Sequence, residues 1–348
     1  MDSGKAHQPR SRKRRLIAIG LGLAVIAATF LFILPRIANY RAVWHVVKGL
    51  SWQQIAALLL ATALNLVTFA PPWMAALPGL GFLRAFTLTQ ASTASTYIAP
   101  GGAAVGVGLS YAILRGWGFG ASAVALAVAV TGIANQLALL GFPVVALALL
   151  TLEQESNPLL QTVAAIGLAI FLVAVAAFTA ALSTPKLARS VGTAVVRIAN
   201  WSLGLIKRGP VGWTPDAFVR FRNQAVGLLR HRWILLALGT LAGQLSVFVL
   251  FLVSLRVLGV SPGEVSAIEA FAAWSLVRLL GSLPITPGGL GVVEVGLTTA
   301  LVGFGGKNAE VVAAVLVYRF LTIVPTLILG LIAGATWRRL TPAPAQPT

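Results

Sequence analysis

The chain has 348 residues, of which 58% are hydrophobic and only 10% are charged, and its mean hydropathy is +0.90. A soluble domain spends about a quarter of its residues on charge, so this composition excludes an ordinary soluble protein and predicts an all-α polytopic membrane protein. The net charge of +18 would suit a nucleic-acid binder, but the basic residues lie mainly between apolar runs, as membrane topology signals do. The sequence has no cysteine, which excludes disulfides and thiolate metal sites.

The amino-terminal half of the sequence predicts four crossings. A basic tail over residues 1–15 leads into an apolar run at 16–34, which is longer than the roughly 7–15-residue core of a cleaved signal peptide. We therefore interpret it as a retained first crossing. Pro71-Pro72 should end or kink the next helix, because proline disrupts a helix interior. The first membrane half is thus 16–182, and its remaining crossings are predicted at 55–77, 121–150 and 159–182.

A basic connector at 183–232 separates this half from a second membrane half at 233–337. Apolar residues recur in the connector at helical spacing, which is typical of an amphipathic helix on the cytoplasmic leaflet, and a plain basic loop fits equally. Crossings are predicted at 233–258 and 311–337, before a tail at 338–348. With both termini in the cytoplasm, most basic residues lie on the cytoplasmic side of the cell membrane, as the positive-inside rule requires. The exceptions are Arg36, Arg41 and Lys48.

Two apolar stretches, 81–117 and 266–305, are broken in the middle by the same three residues. Each is predicted as a helical hairpin, either re-entrant or made of two full spans, that turns at Pro100-Gly101-Gly102 or Pro287-Gly288-Gly289. The breaks superpose at an offset of 187 residues, the separation of Pro100 from Pro287. Three predicted crossings lie between them, so the hairpins should enter from opposite faces. The predicted architecture is six crossings plus two hairpins in an inverted-topology repeat.

The Pro-Gly-Gly breaks are candidates for a binding site. Proline fits the first turn of a helix, and glycine permits the reversal before it, which leaves backbone N–H groups free at a helix N-terminus to bind an anion. A single break would also fit a tight turn at the membrane surface, whereas two at matched positions favour a functional cavity. Substrate binding is therefore predicted for Pro100, Gly101, Gly102, Pro287, Gly288 and Gly289.

Three charged residues around the second break extend the candidate site. Glu294 lies about one helical turn past the glycines, close enough to meet a cation, a proton or an arginine. Its alternative role is a structural ion pair with Arg278 or Arg319. Arg319 lies too deep in the last crossing to reach either membrane surface, so it needs a partner. Glu294, Arg278 and Arg319 complete the predicted substrate-binding set, and Asn135 and Gln244 are expected to form hydrogen bonds between helices.

The most specific part of the sequence reads Pro284-Ile285-Thr286-Pro287-Gly288-Gly289-Leu290-Gly291-Val292-Val293-Glu294. It resembles the carboxy-terminal signature of the lysylphosphatidylglycerol synthase transmembrane-region family, whose members are also described as flippase-like. Ala99-Pro100-Gly101-Gly102 and Leu114-Arg115-Gly116 stand where that family has its first hairpin. The resemblance covers about residues 16–337 and implies movement of aminoacylated or other lipids between leaflets. The first hairpin departs from the family pattern, because Ala103, Ala104 and Val105 replace the acidic residue often found there.

These features predict a lipid flippase that moves a phospholipid or a lipid-linked molecule between the leaflets of the cytoplasmic membrane. The family's fused synthases add a soluble aminoacyl-transfer domain that this sequence does not contain, so no enzymatic activity is expected. No cofactor or metal is expected, and no Gly-Lys-Ser/Thr nucleotide loop occurs. The alternatives are a non-transporting partner of a lipid- or glycan-modifying complex, or a membrane-embedded lipid-modifying enzyme. Expected partners are anionic lipid headgroups and a lipid-modifying enzyme or glycosyltransferase, but not nucleic acid.

Overall fold

The computed structural model describes residues 48–98, 102–153, 158–205, 215–282 and 287–340, and the regular structure in these ranges is helical. The all-α membrane fold is thereby confirmed for the described residues. The predicted basic tail 1–15, the first crossing 16–34 and the pair Pro100-Gly101 lie outside them, as do residues 341–348 of the predicted tail.

The helices follow the predicted segments closely. Those of the first half are α1 (Trp52–Thr68), α2 (Ala70–Ala76), α3 (Phe82–Ile98), α4 (Gly102–Gly116), α5 (Ala121–Glu153) and α6 (Pro158–Ser183). Those that follow are α7 (Pro185–Leu205), α8 (Pro215–Val257), α9 (Ala267–Gly281), α10 (Val292–Gly303) and α11 (Asn308–Thr336). Short 3-10 turns occupy Pro287–Gly289 and Trp337–Leu340.

Four segments of the described chain are long and apolar enough to cross a membrane, and they match four of the predicted crossings. They are Trp52–Ala76, Ala121–Thr151, Val219–Val257 and Asn308–Leu340. The predicted crossing at 159–182 falls on α6, which is bent by 107° from α7. Counting that bent pair as one span gives up to five spans among the described residues, so the total of six stays a prediction.

Proline positions explain where the helix of the first described span is interrupted. α1 ends at Thr68, and α2 restarts at Ala70 with prolines in its first turn, where the missing N–H removes no helical hydrogen bond. The break predicted from Pro71-Pro72 is confirmed, although it lies at Phe69, just before the prolines rather than after them. A new helix begins just before the prolines, so neither proline lies in a helix interior.

α8 is much longer than a membrane crossing requires. Its 43 residues extend about 65 Å, roughly twice the thickness of the hydrocarbon core. The predicted connector and crossing therefore share one helix, because α8 begins at Pro215 whereas the crossing was predicted to begin at residue 233. The part of α8 before the predicted crossing carries Arg220, Arg222, Arg230 and Arg232. The other part of the connector forms the helix α7.

Both broken stretches are helical hairpins with short arms. The first, hairpin 1, pairs α3 with α4, which have 17 and 15 residues. The second, hairpin 2, pairs α9 with α10, which have 15 and 12 residues. At 1.5 Å per residue these arms measure about 18–26 Å, less than the roughly 30 Å of a hydrocarbon core. Of the two predicted alternatives, their length favours re-entrant hairpins.

The two hairpins begin at opposite ends of the bundle, which agrees with the predicted inverted arrangement. Both α8 and α11 run through the two large hydrophobic clusters of the core, so the positions of these clusters along them identify the two ends of the bundle. The base of hairpin 1 packs with the early part of α8 and the last part of α11, through Ile113, Leu114, Ala225 and Ala333. The base of hairpin 2 packs with the opposite ends of the same helices, through Leu301, Val265, Leu255 and Val311.

The end that holds the base of hairpin 1 is the basic end of the molecule. It carries the arginines of the first turn of α3, the last turn of α4 and the final 3-10 turn, which are Arg84, Arg115, Arg338 and Arg339. At the opposite end, Lys307 pairs with Glu264 at 2.7 Å and lies 3.8 Å from Glu310. The described charges are therefore distributed unevenly along the bundle, as the topology signal predicted.

The repeat extends to individual hydrogen bonds. Gly118 after α4 and Gly305 after α10, which differ by the same 187 residues, have φ of 89° and 115°. Their N–H groups donate to Arg115 and Val302, both at 3.1 Å, which are again equivalent positions. The next helices begin at the equivalent residues Ala121 and Asn308. Both hairpins thus end in the same left-handed glycine cap, which satisfies the last carbonyl groups of the helix.

α3 and α11 approach most closely at Gly330. A Cβ atom there would overlap the Cβ of Ala94 and lie 2.6 Å from the carbonyl oxygen of Gln90. Without hydrophobic attraction between helices in lipid, small residues that admit close backbone contact are a main source of association. Gly330 therefore fixes hairpin 1 against the last membrane helix.

We expect Gly330→Ala to destabilise the folded protein by roughly 1–3 kcal/mol, because the added methyl group meets the Cβ of Ala94 and the backbone of Gln90, neither of which can rotate away. Gly334→Ala on the same helix is the matched control, since nothing lies within 4 Å of a Cβ at Gly334. The measurement is thermal unfolding of the purified protein in detergent. Equal melting temperatures of the two variants would contradict the close approach at Gly330.

Candidate functional site

Three glycines shape the turn of hairpin 2. Gly288, Gly289 and Gly291 have φ of 60°, 68° and 83°, in the left-handed region that other residues avoid. Pro287 opens a 3-10 turn, and α10 begins only at Val292. The expectation that the proline would occupy the first turn of the following helix is therefore wrong at this break. The glycines perform the reversal after the proline rather than before it.

Glu294 and Arg319 form a buried ion pair next to this turn. The guanidinium Nε of Arg319 lies 2.6 Å from one carboxylate oxygen of Glu294, and the two side chains are only 7% and 2% exposed. The second carboxylate oxygen accepts the N–H of Gly291 at 2.7 Å, and Arg319 also donates to the carbonyl of Gly288 at 3.1 Å. One pair of side chains thus joins α10, α11 and the turn before α10.

The second break was predicted to leave backbone N–H groups free to bind an anion, and this ion pair occupies one of them. Glu294 is the third residue of α10, where its carboxylate accepts a backbone N–H that precedes the helix. A carboxylate in that place satisfies the helix N-terminus electrostatically, as an external anion would. Of the two partners considered for Glu294, the structure gives Arg319 and not Arg278. The N–H group of Gly291 is already bound by the chain's own carboxylate.

Arg278 has a different environment. Its guanidinium donates to Oε1 of Gln244 at 2.6 Å, and Nε2 of Gln244 donates to Oδ1 of Asn135 at 2.6 Å. It also lies over the ring of Trp274, 5.2 Å from the centroid. The prediction that Asn135 and Gln244 bond between helices is confirmed, with Arg278 as a third member. Within the described ranges, no carboxylate lies within ion-pair distance of Arg278.

Tyr97 brings the tip of hairpin 1 to the same place. A Cβ atom on Gly288 would overlap the ring of Tyr97, so the tyrosine covers the turn of hairpin 2 directly. A Cβ atom on the next residue, Gly289, would lie 3.1 Å from the carbonyl oxygen of Gly281, so the end of α9 that carries Arg278 lies beside the same turn. The tips of the two hairpins therefore meet over the charged residues. We call Tyr97, Gly288, Arg278, Glu294 and Arg319 the apex site.

The sequence analysis did not identify Tyr97. Its only signal was its position just before the first Pro-Gly-Gly break, and its contact with Gly288 joins residues that are far apart in sequence. Pro100 and Gly101 lie outside the described residues. Gly102 begins α4, where a Cβ atom would overlap the carbonyl group of Thr96, so this glycine serves the close turn of hairpin 1. Of the predicted glycines, Gly288 is the one that the structure places in the apex site.

The family model described as lysylphosphatidylglycerol synthase TM region matches residues 17–330, nearly the whole chain. The chain belongs to this family. The family assignment predicted from the sequence is confirmed, and it relates the protein to lipid modification or transport in membranes. No curated protein matches the chain. The family match covers both hairpins and the apex site.

We expect Glu294→Leu and Arg319→Met to lower the free energy of unfolding by about 3–5 kcal/mol each, because each leaves a buried charge without its partner. The double variant Glu294→Leu/Arg319→Met should lose much less than the sum, since both charges are removed together. Unfolding of each protein in mixed detergent micelles measures this double-mutant cycle. Additive losses would show that the two charges do not stabilise each other.

The same double variant separates a structural from a functional role for the pair. If the pair only supports the fold, a stable double variant keeps the activity of the unmodified protein. If Glu294 contributes to function directly, the double variant is stable and inactive.

Proposed function

We propose that this protein moves an anionic lipid, either a phospholipid or a lipid-linked molecule, between the two leaflets of the membrane. The observation that carries the proposal is the charge of Arg278, which has amide and aromatic neighbours but no described carboxylate partner. It lies on hairpin 2, one turn before the end of α9, which packs beside the turn that Tyr97 of hairpin 1 covers. Ionisable groups at membrane depth usually belong to a functional site, and a cation there requires an anion.

The charges of the apex site favour a ligand with one negative charge. Glu294 and Arg319 neutralise each other, which leaves Arg278 as a single positive charge. A phosphodiester carries one negative charge and presents oxygen atoms that suit the planar guanidinium group. Binding such a headgroup would neutralise the site without breaking the pair between Glu294 and Arg319. The tails of the lipid would remain in the surrounding bilayer.

The apex site lies between the two ends of the bundle, as a site for lipid transfer would. The hairpins enter from opposite ends and meet at Tyr97 and Gly288, so a headgroup from either surface would cross only part of the bilayer to reach the apex site. Hydroxyl groups follow α3 toward the apex at Ser92, Thr93, Ser95 and Thr96, which are exposed or half-buried. Irregular backbone at membrane depth is tolerated where it lines a cavity or is buried in protein. Opposed hairpins around a midplane site are the arrangement that many transporters use for alternating access.

The direct test uses the purified full-length protein in liposomes that contain tail-labelled fluorescent phosphatidylglycerol or phosphatidylcholine. Dithionite, added outside, measures the rate at which inner-leaflet lipid becomes accessible. We expect faster exchange of phosphatidylglycerol and a loss of at least about tenfold in Arg278→Gln, because a tenfold change needs only about 1.4 kcal/mol of the interaction. Arg220→Gln, an exposed arginine on α8, is the matched control. Exchange of no anionic lipid, or an unimpaired Arg278→Gln, would reject the proposal.

We further propose that the basic end faces the cytoplasm of a cell membrane, with the C-terminus there. The support is the concentration of arginine at that end and the positive-inside rule.

Because the chain has no cysteine, single-cysteine variants can report this orientation without background labelling. Ala121→Cys marks the start of α5 at the basic end, and Ser261→Cys marks an exposed loop at the opposite end. In intact cells, a membrane-impermeant maleimide should label Ser261→Cys alone. Labelling of Ala121→Cys alone would reverse the proposed orientation.

A further inference from the structure

A cationic cavity at the basic end of the molecule lies apart from the apex site. It is an open groove of about 530 Å³, and most of the residues that line it are exposed. It lies between the loop before α3 and the final 3-10 turn. The residues that line it are Gly79, Gly81, Leu83, Arg84, Arg339 and Leu340. We call it the mouth cavity.

Packing around Trp337 fixes the final 3-10 turn, which is one wall of the mouth cavity, against the end of α4. Nε1 of Trp117, just after α4, donates to the carbonyl oxygen of Trp337 at 2.9 Å. A Cβ atom on Gly116 would lie 2.5 Å from the ring of Trp337, so this glycine admits the ring against the end of α4. Arg339 follows two residues later in the same 3-10 turn. The backbone turn that carries Arg339 is therefore fixed by packing, and it also contacts α3, which carries Arg84.

Two arginines line the mouth cavity, Arg84 from α3 and Arg339 from the final 3-10 turn. Arg338 is the neighbour of Arg339 and lies over the ring of Trp337 at 5.4 Å. In the part of the chain that the structure describes, none of these three arginines forms an ion pair with a carboxylate. Like charges so placed repel one another, and a bound anion would remove that repulsion.

The backbone of the cavity adds to its preference for anions. Gly81 and Leu83 lie at the start of α3, and the first amide groups of a helix have no acceptor within it. The positive amino-terminal end of the α3 dipole lies in the same turn as Arg84. A planar guanidinium group and backbone N–H groups together suit the oxygen atoms of a phosphate.

We propose that the mouth cavity binds a phosphate group through Arg84 and Arg339. The phosphate belongs either to a phospholipid headgroup of the adjacent leaflet or to a free ion in solution. α3 connects this cavity to the apex site, since Arg84 lies in its first turn and Tyr97 near its end, about 20 Å apart along the helix. Phosphate binding in the mouth cavity does not depend on whether the protein moves lipids, because none of the apex-site residues lines this cavity.

The test measures binding to the purified full-length protein by native mass spectrometry in a neutral detergent. The probes are phosphatidylglycerol, diacylglycerol without phosphate, and inorganic phosphate. The variant is Arg84→Gln/Arg339→Gln, and the control is Arg220→Gln/Arg230→Gln, which removes the same charge from exposed positions on α8. Each protein is also studied with Arg278→Gln, so that binding at the apex site does not contribute.

We expect Arg84→Gln/Arg339→Gln to weaken binding of a phosphate-bearing probe at least tenfold, whereas the control double variant changes it less than twofold. If the double variant binds only phosphatidylglycerol more weakly, the ligand is a lipid headgroup. If it also binds inorganic phosphate more weakly, the ligand is the phosphate ion. Arg84→Lys/Arg339→Lys should restore part of the affinity, which a folding defect would not allow. Equal losses in both double variants, or equal binding of diacylglycerol, would overturn the assignment.

Discussion

The ion pair between Glu294 and Arg319 is the constraint on which the apex site depends. At membrane depth neither charge is tolerable alone, so each residue requires the other to be in place. The pair is also bonded to backbone, since Glu294 accepts the N–H of Gly291 and Arg319 donates to the carbonyl of Gly288. These bonds hold the turn of hairpin 2 in a conformation that only glycines adopt easily. Electrostatics and backbone geometry thus specify the same arrangement.

α11 is the element that relates the two hairpins to each other. Near its middle, Arg319 binds the turn of hairpin 2, and further along Gly330 admits α3 of hairpin 1. At its end, Trp337 receives the hydrogen bond of Trp117 after α4. Hairpin 1 is therefore held by close steric contact along α11, whereas hairpin 2 is held at its tip by charge. The two kinds of contact respond differently to a charged ligand, because only the second involves ions that such a ligand can influence.

The sequence predicted the elements of this fold well, because each depends on local chemistry. Apolar runs located the described spans, and the repeated Pro-Gly-Gly located both hairpins and their offset. The partner of Glu294 could not be chosen, because Arg278 and Arg319 were both compatible with its position and only packing distinguishes them. Tyr97 and the mouth cavity were missed for the same reason. Their contacts join distant segments that no local pattern connects.

The repeat is symmetric in backbone but not in charge. At the offset of 187 residues, Glu294 corresponds to Val107 and Arg319 corresponds to Gly132, and both of these are exposed. A repeat with identical chemistry in both halves would have two mirror-related end states of equal energy. A buried pair in one half alone removes that degeneracy, because any rearrangement that separates α10 from α11 must break the pair, whereas its mirror image in the first half breaks none. The two halves of the repeat are therefore energetically inequivalent, although their backbones are related.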